Sequence, residues 1–100
     1  MFIVLLAFSD NIHLAKDFMQ GHKNWIKTGI EDDIFLVVGS LKPIIDSEGG
    51  GAIMAHNTSR QALEERLKQD PFVIENVVSA NIVELTPNQT HERLNFLLDS

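Results

Sequence analysis

The sequence predicts an α+β fold in which a four-stranded sheet carries helices on one face. Three observations support this. Short apolar segments rich in β-branched residues alternate with segments whose apolar residues recur every three or four positions. Glycine, proline and helix-capping residues separate these segments. The first apolar segment is hydrophobic on both of its faces, so neither side of the sheet suits exposure to water.

The first strand is predicted at residues 2–8, a continuous apolar segment that stops at Ser9-Asp10-Asn11. A helix follows from about residue 11 to 28. Asp10 or Asn11 is its expected N-cap, and Gly29 is expected to end it. The acidic turn that comes next, residues 31–33, is expected to be simply solvated.

Residues 34–41 are predicted as the second strand because they combine β-branched, aromatic and aliphatic side chains. Pro43 marks the end of this strand. Residues 42–50 are too irregular for a helix or strand and are predicted to form a mobile flap. The third strand is predicted at residues 51–57.

Thr58 and Gln61 have the spacing of a capping box and predict a second helix that continues to about Gln69. The fourth strand is predicted at residues 77–85. Residues 90–98 are predicted to add a short terminal helix, and its expected inner face consists of Leu94, Leu97 and Leu98.

The resulting order of strand, helix, strand, strand, helix, strand is that of ferredoxin-like βαββαβ folds, here with an extra C-terminal helix. Residues 1–100 are expected to form a single domain. Two helices cover only one face of such a sheet, although the strands are apolar on both. We therefore expect the uncovered face to pack against the same face of a second copy, as a homodimer.

Composition excludes several classes of function. Aspartate and glutamate number 14 against 8 lysines and arginines, for a net charge of −6, and no basic cluster interrupts this surface. Nucleic-acid binding is therefore not expected. No apolar segment approaches the roughly 20 residues of a membrane-spanning helix. The absence of cysteine excludes disulfides and thiolate sites and favours a cytoplasmic location.

His22 is the clearest candidate for chemistry because it interrupts an apolar helical stripe of Ile12, Ala15, Met19 and Ile26. Asp70 could accept its ring proton, fix the tautomer and stabilise the imidazolium formed when His22 acts as a base. Two alternatives stay open: His22 is a satisfied core residue, or Asp70 only caps a turn that begins at Pro71. Capping and pairing are compatible if each carboxylate oxygen serves one purpose.

The other candidates are predicted ligand contacts. Gly39 would let a ligand approach the backbone, and Ser40 would supply a polar contact, since no nucleophile motif surrounds it. Trp25 and Phe72 are aromatic candidates, with core packing and anchoring of the Asp70 loop as their alternative roles. No metal site is expected from His56 and His22, because neither has a carboxylate or histidine at the helical spacing of two ligands.

Several segments together resemble the YciI-like proteins of the dimeric α+β barrel group. The segments are Gly21-His22-Lys23, residues 35–41, residues 50–53, Asp70-Pro71-Phe72 and Val77-Val78. The resemblance spans essentially the whole chain and implies a ferredoxin-like subunit that dimerises sheet to sheet. It also implies a pocket in which His22 and Asp70 form a dyad. Relatives that catalyse dehydrochlorination or isomerisation imply a reaction of that kind.

We therefore predict a cofactor-independent enzyme that acts on a small cyclic or aromatic-derived substrate by proton abstraction, with elimination or isomerisation. His22 is the predicted acid/base and Asp70 its orienting partner. The alternative is a non-catalytic protein of the same fold, which binds a small ligand or serves as a dimeric scaffold.

Overall fold

Four strands, three α-helices and two 3-10 helices make up the computed structural model, which describes residues 1–99. The strands are β1 (Phe2–Phe8), β2 (Phe35–Leu41), β3 (Gly50–Ala55) and β4 (Val78–Glu84). The α-helices are α1 (Ala15–Glu31), α2 (Arg60–Leu67) and α3 (Pro71–Ile74). The 3-10 helices are Ile12–Leu14, which leads into α1, and Glu92–Asp99.

The strands form one antiparallel sheet in the order β2-β3-β1-β4. In its centre, Val4 of β1 lies opposite Ile53 of β3 on one side and Ile82 of β4 on the other. The first and third connections contain the helices, and the second joins β2 to β3 directly. This topology confirms the predicted α+β, ferredoxin-like fold.

Alternation along β1 divides the sheet into a helix-covered face and an open face. Phe2, Val4 and Leu6 are buried, while Leu5 and Ala7, on the opposite face, are exposed. The buried side chains join a core that includes apolar residues from all three helices, namely Trp25, Leu63, Leu67 and Phe72. The helices therefore pack on a single face of the sheet.

The open face of the sheet carries a row of apolar side chains that crosses all four strands. The strand register places Val37 opposite Met54, Met54 opposite Ile3, and Ile3 opposite Val83. Val37 is 55% exposed and Val83 43% exposed. This row of the open face is thus apolar, as the composition of β1 and β2 predicts, whereas β4 also places Asn81 and Ser79 on this face, opposite Leu5 and Ala7.

Gly29 lies inside α1, not at its end, so the predicted end of this helix is wrong. The helix continues to Glu31 and is followed by Asp32 at the C-cap. A Cβ atom at Gly29 would lie 2.2 Å from Cδ2 of Phe35. Gly29 therefore makes room for the Phe35 ring, and packing, not helix termination, accounts for this glycine.

The N-terminal end of α1 also differs from the prediction. The 3-10 turn Ile12–Leu14 precedes the helix, and Asn11 makes no side-chain capping bond. Instead, Ser9 Oγ accepts the backbone N–H of Asn11 at 3.0 Å. This is a local serine turn before the 3-10 helix, and neither Asp10 nor Asn11 caps α1, whose N-cap is Leu14 without a side-chain capping bond.

The acidic turn after α1 is not simply solvated. Asp32 Oδ2 lies 3.1 Å from Nη2 of Arg66 in α2, and Asp33 Oδ1 lies 3.4 Å from Nε2 of His56. His56 follows β3, so the turn connects α1 to both α2 and the end of the third strand. These contacts are distant in the sequence, so local patterning gives no sign of them.

The N-cap of α2 is Ser59, one residue later than predicted. Ser59 has an extended backbone, and its Oγ accepts the N–H of Ala62 at 3.1 Å. Thr58 Oγ1 instead donates to the carbonyl of Ser59 at 3.3 Å. Adjacent Thr and Ser are both good capping residues, and the sequence spacing favoured the wrong one.

The C-terminal helix is a 3-10 helix, and only one of the three leucines expected on its inner face is buried. Leu97 is 3% exposed, whereas Leu94 and Leu98 are nearly half exposed. At three residues per turn, residues four apart lie about 120° from each other around the helix. Leu98 therefore lies on a different side of this helix from Leu97 and Leu94, which are three residues apart.

None of the helices in residues 1–99 combines the length and apolar character needed to cross a lipid bilayer.

Candidate active site

A cavity of about 270 Å³ lies between α1 and the helix-covered face of the sheet. Residues of α1 and α3 form its walls, and residues of all four strands form its floor. The contributing side chains from the helices are Met19, His22, Lys23, Ile26 and Phe72. The floor includes Leu6, Phe8, Val38, Ile53 and Val78. Most of the surface offered to a ligand is therefore hydrocarbon.

His22 and Asp70, 48 residues apart in the chain, meet at the wall of this cavity. His22 Nδ1 lies 2.8 Å from Asp70 Oδ1. An ionised carboxylate only accepts hydrogen bonds, so pairing with an ionised Asp70 would place the ring proton on Nδ1. Nε2 is then the nitrogen left for a ligand. The His22 side chain is 13% exposed and that of Asp70 is fully buried, so the histidine faces the cavity and the aspartate supports it from behind.

Asp70 is held in place because it is also the N-cap of α3. Its Oδ1 accepts the N–H of Phe72 at 3.0 Å, and Pro71 occupies the first helical position. Capping and histidine pairing therefore coexist, but one oxygen serves both. The expectation of one oxygen for each purpose is wrong, because the Phe72 and His22 donors converge on Oδ1. Oδ2 is buried and has no hydrogen-bond partner.

Aromatic rings fix the plane of the His22 imidazole. The Phe72 ring stacks on it at a centroid distance of 4.0 Å and an interplanar angle of 4°. The Trp25 ring lies farther away, at 6.1 Å and 24°. With one ring nitrogen bound to Asp70 and one face covered by Phe72, the imidazole has a single well-defined orientation.

Gly21 permits the close approach of α1 and α3 on which this arrangement depends. A Cβ atom at Gly21 would lie only 2.9 Å from Cγ of Pro71. Gly21 precedes His22, and Pro71 follows Asp70. The glycine thus brings the two helices together beside the dyad.

Gly39 and Ser40 of β2 line the cavity, as does Phe72. Ser40 lies opposite Gly51 of β3, which also lines the cavity. Because Gly51 has no side chain, this part of the floor stays open beside Ser40.

Trp25 does not line the cavity, in contrast to its predicted role as a ligand contact. Its side chain is buried in the core, and its indole N–H donates to the carbonyl of Arg66 at 2.9 Å. Its ring also meets the edge of Phe35 at 5.1 Å. The alternative role that the sequence left open, core packing, describes its position.

Sequence reasoning did not single out Met19, Lys23 and Ile26 as ligand contacts. Met19 and Ile26 lie three residues before and four residues after His22, so they share its helical face. That spacing is a usable signal once His22 is chosen. Lys23 has no such signal, since a lysine on a surface helix is ordinarily solvated.

The remaining histidines lie elsewhere. His56 contacts Asp33 and the edge of the Phe96 ring, whereas His22 pairs with Asp70. His13 and His91 are exposed. Within residues 1–99, no group of three or more histidine and acidic side chains is arranged to hold a metal ion.

The fold is similar to that of 5-chloro-2-hydroxyhydroquinone dehydrochlorinase from Burkholderia phenoliruptrix AC1100, solved in complex with 2,5-dihydroxybenzoquinone. The two structures align with a TM-score of 0.66 and 12% sequence identity, over 85% of this chain and 93% of that chain. No protein-family model matches the sequence, and no curated protein matches it. At this identity, what the two proteins demonstrably share is the ferredoxin-like α+β fold of the dehydrochlorinase.

Proposed function

We propose that this chain is a cofactor-independent enzyme that acts on a small cyclic or aromatic-derived substrate, with His22 as general acid/base and Asp70 as the residue that orients it. The observation that carries the proposal is the 2.8 Å hydrogen bond between His22 Nδ1 and Asp70 Oδ1 at the wall of an apolar cavity. The fold shared with a dehydrochlorinase supports a small-molecule enzyme of this general kind.

In the proposed reaction, Nε2 of His22 removes a proton from the bound substrate. The buried Asp70 carboxylate stabilises the imidazolium that forms, because it accepts a hydrogen bond from the opposite ring nitrogen. The electron pair released from the broken bond forms a new double bond. In an elimination, a leaving group such as chloride departs with its bonding pair. In an isomerisation, the imidazolium returns the proton to another atom.

The size of the cavity supports a compact substrate. Its volume of about 270 Å³ is slightly below the range of roughly 300–1,000 Å³ that is usual for ligand pockets. Stacking of Phe72 on His22 leaves the cavity side of the imidazole for the ligand. A single ring with small substituents suits this space.

We further propose that the chain forms a homodimer through the open face of the sheet. The row of Val37, Met54, Ile3 and Val83 across all four strands supports this, because contiguous exposed apolar surface favours association. A two-fold axis lying in the interface, parallel to the two sheets, would place equivalent rows against each other. We also propose a cytoplasmic location, which the lack of cysteine supports.

The proposed roles are tested by comparing wild type with His22→Ala and Asp70→Asn on a panel of lactones and halogenated phenols. General acid/base catalysis is worth about 100- to 10,000-fold in rate, and His22→Ala should lose that factor. The rate of the Asp70→Asn variant should fall by a smaller factor, because the histidine remains. His13→Ala, which removes an exposed histidine, is the matched control and should keep full activity.

Equal turnover by wild type and both variants would exclude the proposed roles. Binding of a panel compound in the cavity without turnover would instead favour a non-catalytic ligand-binding protein.

A further inference from the structure

We infer that the cavity selects a single-ring organic anion and that Lys23 is the residue that recognises its charge. This inference rests on the proposed function, because it names the substrate class of the same cavity. It makes Lys23 a specificity residue, distinct from the acid/base pair formed by His22 and Asp70.

The charged residue that lines the cavity has the opposite sign to the net charge of the protein. The chain has 14 acidic residues against 8 basic ones, yet no aspartate or glutamate lines the cavity. The polar side chains that line it are those of Lys23, His22 and Ser40. Within residues 1–99, the one charged side chain on the cavity lining is thus Lys23, while the Asp70 carboxylate lies fully buried behind the His22 ring. Since the rest of the surface is acidic, this local inversion favours an anionic ligand at this place.

Lys23 is available for such a ligand. Within residues 1–99, no carboxylate forms an ion pair with its ammonium group. Lys27, one helical turn farther along α1, contrasts with it, because Lys27 Nζ lies 3.9 Å from Glu31 Oε1. The two lysines share a helix, but only Lys23 lines the cavity.

The rest of the cavity defines the body of the ligand. Apolar and aromatic surface comes from Phe8, Met19, Ile26 and Phe72. Ser40 also lines the cavity and could hydrogen-bond a polar substituent. An anionic oxygen at Lys23 and a flat hydrocarbon ring over the apolar floor would use both kinds of surface. The volume of about 270 Å³ limits the ligand to about one substituted ring.

The test compares benzoate with benzamide, which has nearly the same shape but no charge. Both are titrated at pH 8, where histidine side chains are ordinarily neutral, and binding is followed by the amide shifts of Gly39, Ser40 and Gly51 in ¹H–¹⁵N spectra. We expect wild type to bind benzoate more tightly than benzamide. Lys23→Gln should weaken benzoate binding by about three- to tenfold and leave benzamide unchanged.

Lys27→Gln is the matched control, because it removes the same charge from the same helix outside the cavity. It should leave both affinities unchanged, and Lys23→Arg should retain the preference for benzoate. The inference is overturned if wild type binds the two probes equally, if it binds neither, or if Lys23→Gln and Lys27→Gln have the same effect. Failure of the acid/base proposal would appear separately, as full turnover by His22→Ala while the preference for benzoate persists.

Discussion

Gly21 and Pro71 meet where α1 crosses the start of α3, and a Cβ atom at residue 21 would lie 2.9 Å from Cγ of Pro71. The residues next to them in sequence, His22 and Asp70, form the 2.8 Å hydrogen bond at the cavity wall. A residue with no chemistry of its own therefore controls the distance between the two that have it. Stability and activity should respond differently when this contact changes.

Gly21→Ala tests this relationship. Alanine favours the helix over glycine by about 0.5–1 kcal/mol, which offsets part of the cost of the new contact with Pro71. We expect the free energy of unfolding to change by less than about 1 kcal/mol, while turnover on an active panel compound falls at least tenfold as α3 moves away from His22. Unchanged turnover would contradict this role of Gly21. Gln20→Ala, at an exposed neighbouring position, is the control.

Gly29→Ala should destabilise the fold outright. The added Cβ would lie 2.2 Å from the Phe35 ring, which is buried in the core and has little freedom to move. Overpacking of this kind costs about 1–3 kcal/mol, which exceeds the gain in helix propensity. Urea unfolding measures the difference, and Phe35→Leu in the same chain should recover part of it. An increase in stability would contradict this account of Gly29, because it would show that the core around Phe35 accommodates the added methyl group.

Ser59→Ala should lower the stability of the protein more than Thr58→Ala. Ser59 Oγ accepts the N–H of Ala62, and loss of such a cap costs about 1 kcal/mol. Thr58 makes no bond to a helix amide, so Thr58→Ala should lower the free energy of unfolding by less than half as much. Midpoints of urea unfolding for the two variants decide between the caps. The reverse order would restore the capping box predicted from the sequence.

Val37→Lys should convert the proposed dimer to a monomer. Val37 lies on the open face of the sheet, in the row that crosses all four strands, and a lysine there would bury charge in the interface. Ile30→Lys is the control, because Ile30 is similarly exposed but belongs to α1. Sedimentation equilibrium should give a dimer for wild type and Ile30→Lys and a monomer for Val37→Lys. A monomeric wild type would exclude the proposed interface.

The sheet was predictable from the sequence because its signals are local. Residues 2–8 and 34–41 are short apolar segments with clear ends, and the structure places strands at Phe2–Phe8 and Phe35–Leu41. The errors arise where a residue has two possible uses. Gly29 could end a helix or accommodate a ring, and only the distant position of Phe35 decides between these.

The pairing of His22 with Asp70 was foreseeable because an imidazole on an apolar helical face and an aspartate before Pro71 each need an explanation. The shared use of Oδ1 was not, since it depends on how two helices approach. The place of Lys23 in the cavity was likewise not predictable from the sequence. Its sequence neighbourhood is that of an ordinary surface lysine, and only the packing of α1 over the sheet makes it part of a cavity wall.

The central claim is that Asp70 holds His22 through Nδ1 and leaves Nε2 for the substrate. Long-range ¹H–¹⁵N correlation of the imidazole rings measures this directly, because it identifies the protonated nitrogen of each neutral histidine. Wild type should show His22 with its proton on Nδ1. Asp70→Ser retains a good helix cap but removes the carboxylate, and it should lose this preference. A His22 proton on Nε2 in wild type, or an unchanged spectrum in Asp70→Ser, would contradict the account.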